Sequence, residues 1–139
     1  MLEHDFWSNF RKWMPHQEVR EAYNIERIVS GNEEVLAVLL RPEGMGVVES
    51  TLRLVWDSVI SYTVADESYR PELWGDEKAP NKEAWNFYIS ETSDHLTQFR
   101  KENYLISERT HHFFICGYNL TVDVLAEEYP TVEFLNLKP

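Results

Sequence analysis

The sequence predicts an α+β fold: a mostly antiparallel sheet with helices packed on one face, in a single domain over residues 1–139. Three observations predict it. Most apolar runs are short and carry β-branched or aromatic residues at strand spacing. Helical spacing is confined to an N-terminal segment, about 3–22, and to one short stretch after Ser93, leaving a sheet region at about 23–137. The order of elements lacks the regular β-α-β alternation of a doubly wound parallel fold.

Each element follows from local pattern. Phe6, Phe10 and Trp13 fall at i, i+4 and i+7, with Trp7 and Met14 beside them, which predicts a helix. Pro15 ends it, and Gln17 to Tyr23 reads as a second short helix. Ile25 and Ile28 lead to a turn at Ser30-Gly31-Asn32. Val35 to Leu40 is apolar on both faces and reads as a buried strand. In Val47 to Trp56, the residues Leu52, Leu54 and Trp56 alternate with Thr51, Arg53 and Val55, the period of a half-buried strand. Val59 to Val64 continues in the same style after an interruption at Asp57-Ser58. Trp85 to Ile89 is a further strand.

Ser93 has the chemistry of an N-cap, with Asp94 in the first turn, Arg100 and Lys101 near the C-terminal end and Asn103 closing the helix. His111 to Tyr118 and Thr121 to Ala126 form a hairpin, and Val132 to Leu137 supplies a last strand or edge.

The chain has 24 acidic and 13 basic side chains, a net charge of −11. That field repels phosphate backbones and anionic lipid, so neither nucleic acid nor a membrane is an expected partner. A basic protein is the favoured one. The single cysteine, Cys116, cannot staple the fold internally, no apolar run is long enough to span a bilayer, and the N-terminus lacks the apolar stretch of a secretory signal. The expected location is the cytoplasm.

No glycine-rich phosphate cradle and no Gly-x-Ser-x-Gly elbow is present, so no cofactor and no catalytic residue is assigned. His112 and Cys116 share a strand face, but positions four apart on a strand lie about 13 Å apart, too far for one tetrahedral zinc, and no metal site is assigned. His16-Gln17-Glu18 lacks the cysteines of a zinc deaminase. Asp123 sits between Val122 and Val124, where a carboxylate is either on the wet face of the sheet or paired, and alternation predicts the wet face. The long irregular stretch 66–84 is the candidate recognition loop, with Tyr69, Trp74, Asp76, Glu77 and Trp85 as partner-binding residues, because aromatic anchors dominate interface cores.

The run Leu54 to Ser68, the Ser93-Asp94-His95-Leu96 helix start, His112 to Ile115 and Val122 to Ala126 together resemble small uncharacterised bacterial α+β proteins, some found in toxin–immunity settings. The resemblance covers roughly 50–134 and implies a non-enzymatic, immunity-like interaction module without pointing to functional residues. Two alternatives stand beside it. One is a small-ligand-binding domain or hydrolase-type enzyme with a pocket near His112 and Asp123. The other is a self-associating protein, a homodimer burying the Phe6, Trp7, Phe10 and Trp13 aromatics.

Overall fold

The computed structural model describes residues 6–19, 22–31, 35–42, 50–70, 85–117 and 119–136. The strands are β1 (Arg11–Lys12), β2 (Tyr23–Val29), β3 (Leu36–Pro42), β4 (Ser50–Trp56), β5 (Ser61–Asp66), β6 (Phe87–Ser90), β7 (His111–Cys116), β8 (Leu120–Ala126) and β9 (Thr131–Asn136). Among the described residues there is one α-helix, α1 (Asp94–Glu102), between β6 and β7. The strands form two sheets, ordered β1-β6-β7-β8-β5 and β2-β3-β4-β9. Every pairing among the described residues is antiparallel. No helix among the described residues is long and apolar enough to cross a membrane.

The expected antiparallel character holds, but a second sheet takes the place expected for helices. Strand alternation explains how. Leu36, Val38 and Leu40 of β3 and Leu52, Leu54 and Trp56 of β4 all point one way. They meet Phe87 and Ile89 of β6, Phe113 and Ile115 of β7, and Val122, Val124 and Ala126 of β8 in one apolar cluster. The sheets are also tied by Asn86. Its Oδ1 accepts the Tyr23 N–H at 2.7 Å, and its Nδ2 donates to the carbonyls of Tyr23 and Cys116 at 2.9 and 2.7 Å. Behind the β7–β8 turn, a Cβ on Gly117 would stand 3.1 Å from the Leu120 carbonyl and 3.2 Å from Ile25, so glycine lets this turn press against β2.

From Phe6 onward the N-terminal segment is not the expected helix, and the start of that expectation, before residue 6, lies outside the described residues. The segment is a 3-10 turn at Phe6–Asn9 followed by β1. Its aromatics part to opposite faces of the five-stranded sheet, which a helix stripe could not do. Trp7 and Phe10 pack with Tyr88 and Phe114 on the outer face, while Trp13 packs on the inner core against Phe87 and Phe113. An extended crossing at the sheet edge, fixed by the Trp13 N–H donating to the Phe87 carbonyl at 3.0 Å, achieves both. The short helix expected from Gln17 is absent among the described residues. Val19 closes a turn on the His16 carbonyl, and β2 begins at Tyr23 after Ala22, whose φ of 65° is left-handed.

The helix after Ser93 forms as expected. Ser93 caps it by accepting the Leu96 N–H, Arg100 and Lys101 fall in the last turn, and Asn103 is the C-cap.

Candidate functional site

The outer face of the five-stranded sheet carries a polar network among aromatic rings. Alternation puts His112, Phe114 and Cys116 of β7 on this face, opposite Asp123 and Thr121 of β8 and Thr63 and Ala65 of β5. The 3-10 turn Glu67–Tyr69, capped by Asp66, carries the chain out of β5 to Arg70. The α1 cap, Ser93, arrives from the other side.

These elements join in one chain of bonds. Ser93 Oγ lies 2.6 Å from His112 Nδ1, and His112 Nε2 lies 2.6 Å from Asp123 Oδ1. Arg70 donates to Asp123 Oδ2 at 2.7 Å and to Thr121 Oγ1 at 3.2 Å, with its guanidinium 5.3 Å over the Phe114 ring. Burial alone would raise the Asp123 carboxyl, but the bonds from His112 and Arg70 outweigh it and hold the group below its ordinary value. An ionised Asp123 only accepts, so the His112 Nε2–H donates to it.

A cavity of about 360 Å³ opens over this network. Phe10 and Ala65 give it apolar wall, and Thr63, Arg70, Asp94 and His95 give it polar wall, above Ser93, His112 and Asp123. The His95 ring stands 5.1 Å from that of His112. Burial, and then the nearby His112, hold its imidazole below the usual value. The size falls within the roughly 300–1,000 Å³ typical of ligand pockets.

The hydroxyl, imidazole and carboxylate in line have the connectivity of a nucleophile, base and orienter. Two features separate them from a working relay. Ser93 is only 2% exposed and its oxygen already accepts the Leu96 N–H at 3.1 Å. Asp123 is shared with Arg70 rather than given over to the imidazole. Among the described residues no group of three or more His, Cys, Asp or Glu could hold a metal ion.

The structure thus brings His112 and Asp123 together at a pocket. Asp123 is 5% exposed and paired, a correction to the expected water-facing side chain. Cys116 shares the face but packs in the aromatic cluster with Trp7, Tyr88 and Phe114, its thiol pushed up to about 12 mainly by burial. Of the expected partner-binding residues, Tyr69 is 81% exposed next to Arg70. Trp85 is half-buried and donates its indole N–H to the Trp13 carbonyl at 3.0 Å. Trp74, Asp76 and Glu77 lie outside the described residues. His16 faces Glu18 on the surface, away from any site.

Sequence reasoning missed Arg70, His95 and Thr121, and saw Ser93 only as a cap. A lone arginine after a strand carries no local signal. The one available hint was Asp123, a carboxylate between valines that needs a cation. Comparison with protein-family models, with curated proteins and with solved structures returned no match, so function rests on this geometry.

Proposed function

We propose that this chain is a binding module and that the pocket over His112 and Asp123 is its recognition site. The observation that carries the reading is the coincidence of a cavity of about 360 Å³ with a buried charge network that already has its own partners. A fully paired Arg70–Asp123–His112–Ser93 chain is rigid, so it fixes the shape of the pocket floor without needing an occupant. The occupant has the size of one side chain or a small molecule, with an apolar body against Phe10 and Ala65 and a polar end near Thr63 and His95.

An NMR titration with n-butylammonium, acetate and phenol as separate probes tests this. At least one probe shifts the amides of Thr63, Ala65 and His95, and Thr63→Phe, which fills the cavity from an exposed strand position, abolishes the shift. If every probe leaves these amides unmoved, the pocket is not a binding site.

The Ser93–His112–Asp123 order favours one second reading, ester hydrolysis. It requires Ser93 to leave its cap and attack an acyl carbon while His112 takes its proton and passes it to the departing alcohol oxygen as the ester C–O bond breaks, water then cleaving the acyl-serine. Turnover of p-nitrophenyl acetate that is lost in both Ser93→Ala and His112→Gln supports it, and equal rates in wild type and both variants reject it.

A further inference from the structure

Among the described residues the two sheets have four outer edges, and three are protected against strand pairing. β1 is two residues long, and its Arg11 is held by Glu91 at 2.5 and 3.1 Å. β2 carries Glu26 and Arg27 at a register shift, with Glu26 paired to Arg41 at 2.7 Å. β9 has Glu133 at mid-strand, bonded to Arg53 at 2.6 Å. Short length, charge and bulges are the usual means of blunting an edge.

β5 has none of these. Its six residues, Ser61 to Asp66, run in unbroken register against β8, and among the described residues it pairs with no other strand. It contains no lysine, arginine or proline, and its one charge is the terminal Asp66. Ile60, Tyr62 and Val64 are 36%, 38% and 39% exposed toward one side. Thr63 and Ala65, on the other, line the pocket. A strand added here would lay alternate side chains over Tyr62 and Val64 and into the pocket mouth.

Charge selects what arrives. Asp57, Glu127 and Glu128 lie at one end of β5, with Arg109 paired to Glu127, and Asp66 and Glu67 lie at the other. A second copy pairing antiparallel through β5 would set Asp66 and Glu67 of each chain against the acidic end of the other. The whole chain at −11 repels its copy further. We infer that β5 receives an extended segment of a basic protein partner as an added strand, with one of its side chains seated in the pocket. This rests on the reading of the pocket as a binding site.

The test uses the full chain, isotope-labelled, and the peptide acetyl-Lys-Val-Lys-Val-Lys-Val-amide. At low salt the peptide shifts the amides of Ser61 to Asp66 and slows hydrogen exchange on the free edge of β5 by about tenfold or more. Raising ionic strength to physiological or above weakens binding by about tenfold. N-methylation of alternate peptide nitrogens abolishes binding in one of its two registers, because one set of N–H groups faces β5. Shifts confined to pocket residues, with no exchange protection on β5, overturn strand addition and leave the pocket reading intact. If nothing shifts, strand addition fails, and the small-probe titration with Thr63→Phe decides the pocket separately. Protection of β5 without peptide, together with a concentration-dependent doubling of mass, makes a second copy the occupant and overturns the inference.

Discussion

On the inner face of the five-stranded sheet, Phe87, Ile89, Phe113, Ile115, Val122 and Val124 meet the second sheet with hydrocarbon side chains. One residue along the same strands, on the outer face, His112, Asp123 and Thr121 are buried with hydroxyl, imidazole, carboxylate and guanidinium groups. These residues are buried on both faces, but by different means. The inner face is stabilised by apolar area, which is non-directional and forgiving of direction but not of volume. The outer face is held by directional bonds between groups that each need the others, so one deletion strands its neighbours.

The largest test of this contrast is Phe113→Ala. Phe113 is fully buried against Trp13, Trp56 and Tyr129. Its truncation is expected to cost about 3–5 kcal/mol, read as a drop in denaturant midpoint at constant slope.

Asp123→Ala is expected to cost about 3 kcal/mol, because Arg70 and His112 lose their shared carboxylate in a buried site. Removing the whole network with Arg70→Leu, His112→Leu and Asp123→Leu should cost clearly less than Asp123→Ala alone. If the triple variant is the less stable of the two, the outer face depends on its bonds for more than mutual satisfaction.

The same pair sets an acid limb. Asp123 has a lower pKa folded than unfolded, so the unfolded chain binds its proton first as pH falls. Its contribution is present above the ordinary carboxylate value and is lost as pH drops through that value toward the depressed folded one. Asp123→Asn should flatten the acid limb of stability measured by urea titration at a series of pH values.

Ser93→Ala removes the α1 cap and one bond to His112, for about 1 kcal/mol. The smallest expected change is at Cys116. With its thiol raised to about 12, it should resist iodoacetamide at mildly alkaline pH in the native state and react once the chain is unfolded. Rapid native labelling would mean that the aromatic cover of Trp7, Tyr88 and Phe114 opens readily.

How much was legible follows from range. The β7–β8 hairpin, the separation of Phe113 and Ile115 from Phe114 and Cys116, and the Ser93 to Asn103 helix were readable because their signals lie within a few residues. The N-terminal aromatics misled because Phe10 and Trp13, which fit the i+4 and i+7 spacing, are sent by the fold to two sides of one sheet. Asn86 gave no signal at all, since the groups it bonds, on Tyr23 and Cys116, lie 63 and 30 positions away.

By itself the sequence determined the antiparallel strand-rich character, the capped helix, the acidic charge and which residues of each strand share a face. These are properties of periodicity, side-chain type and formal charge. Only tertiary structure decided that a second sheet covers the first, that Asp123 is buried with Arg70 and His112, and that β5, paired among the described residues with β8 alone, lies beside a cavity. Pairing order, and the meeting of Arg70 with Asp123 across 53 positions, depend on which strands pack together and on the burial that rewards it, and a local pattern encodes neither.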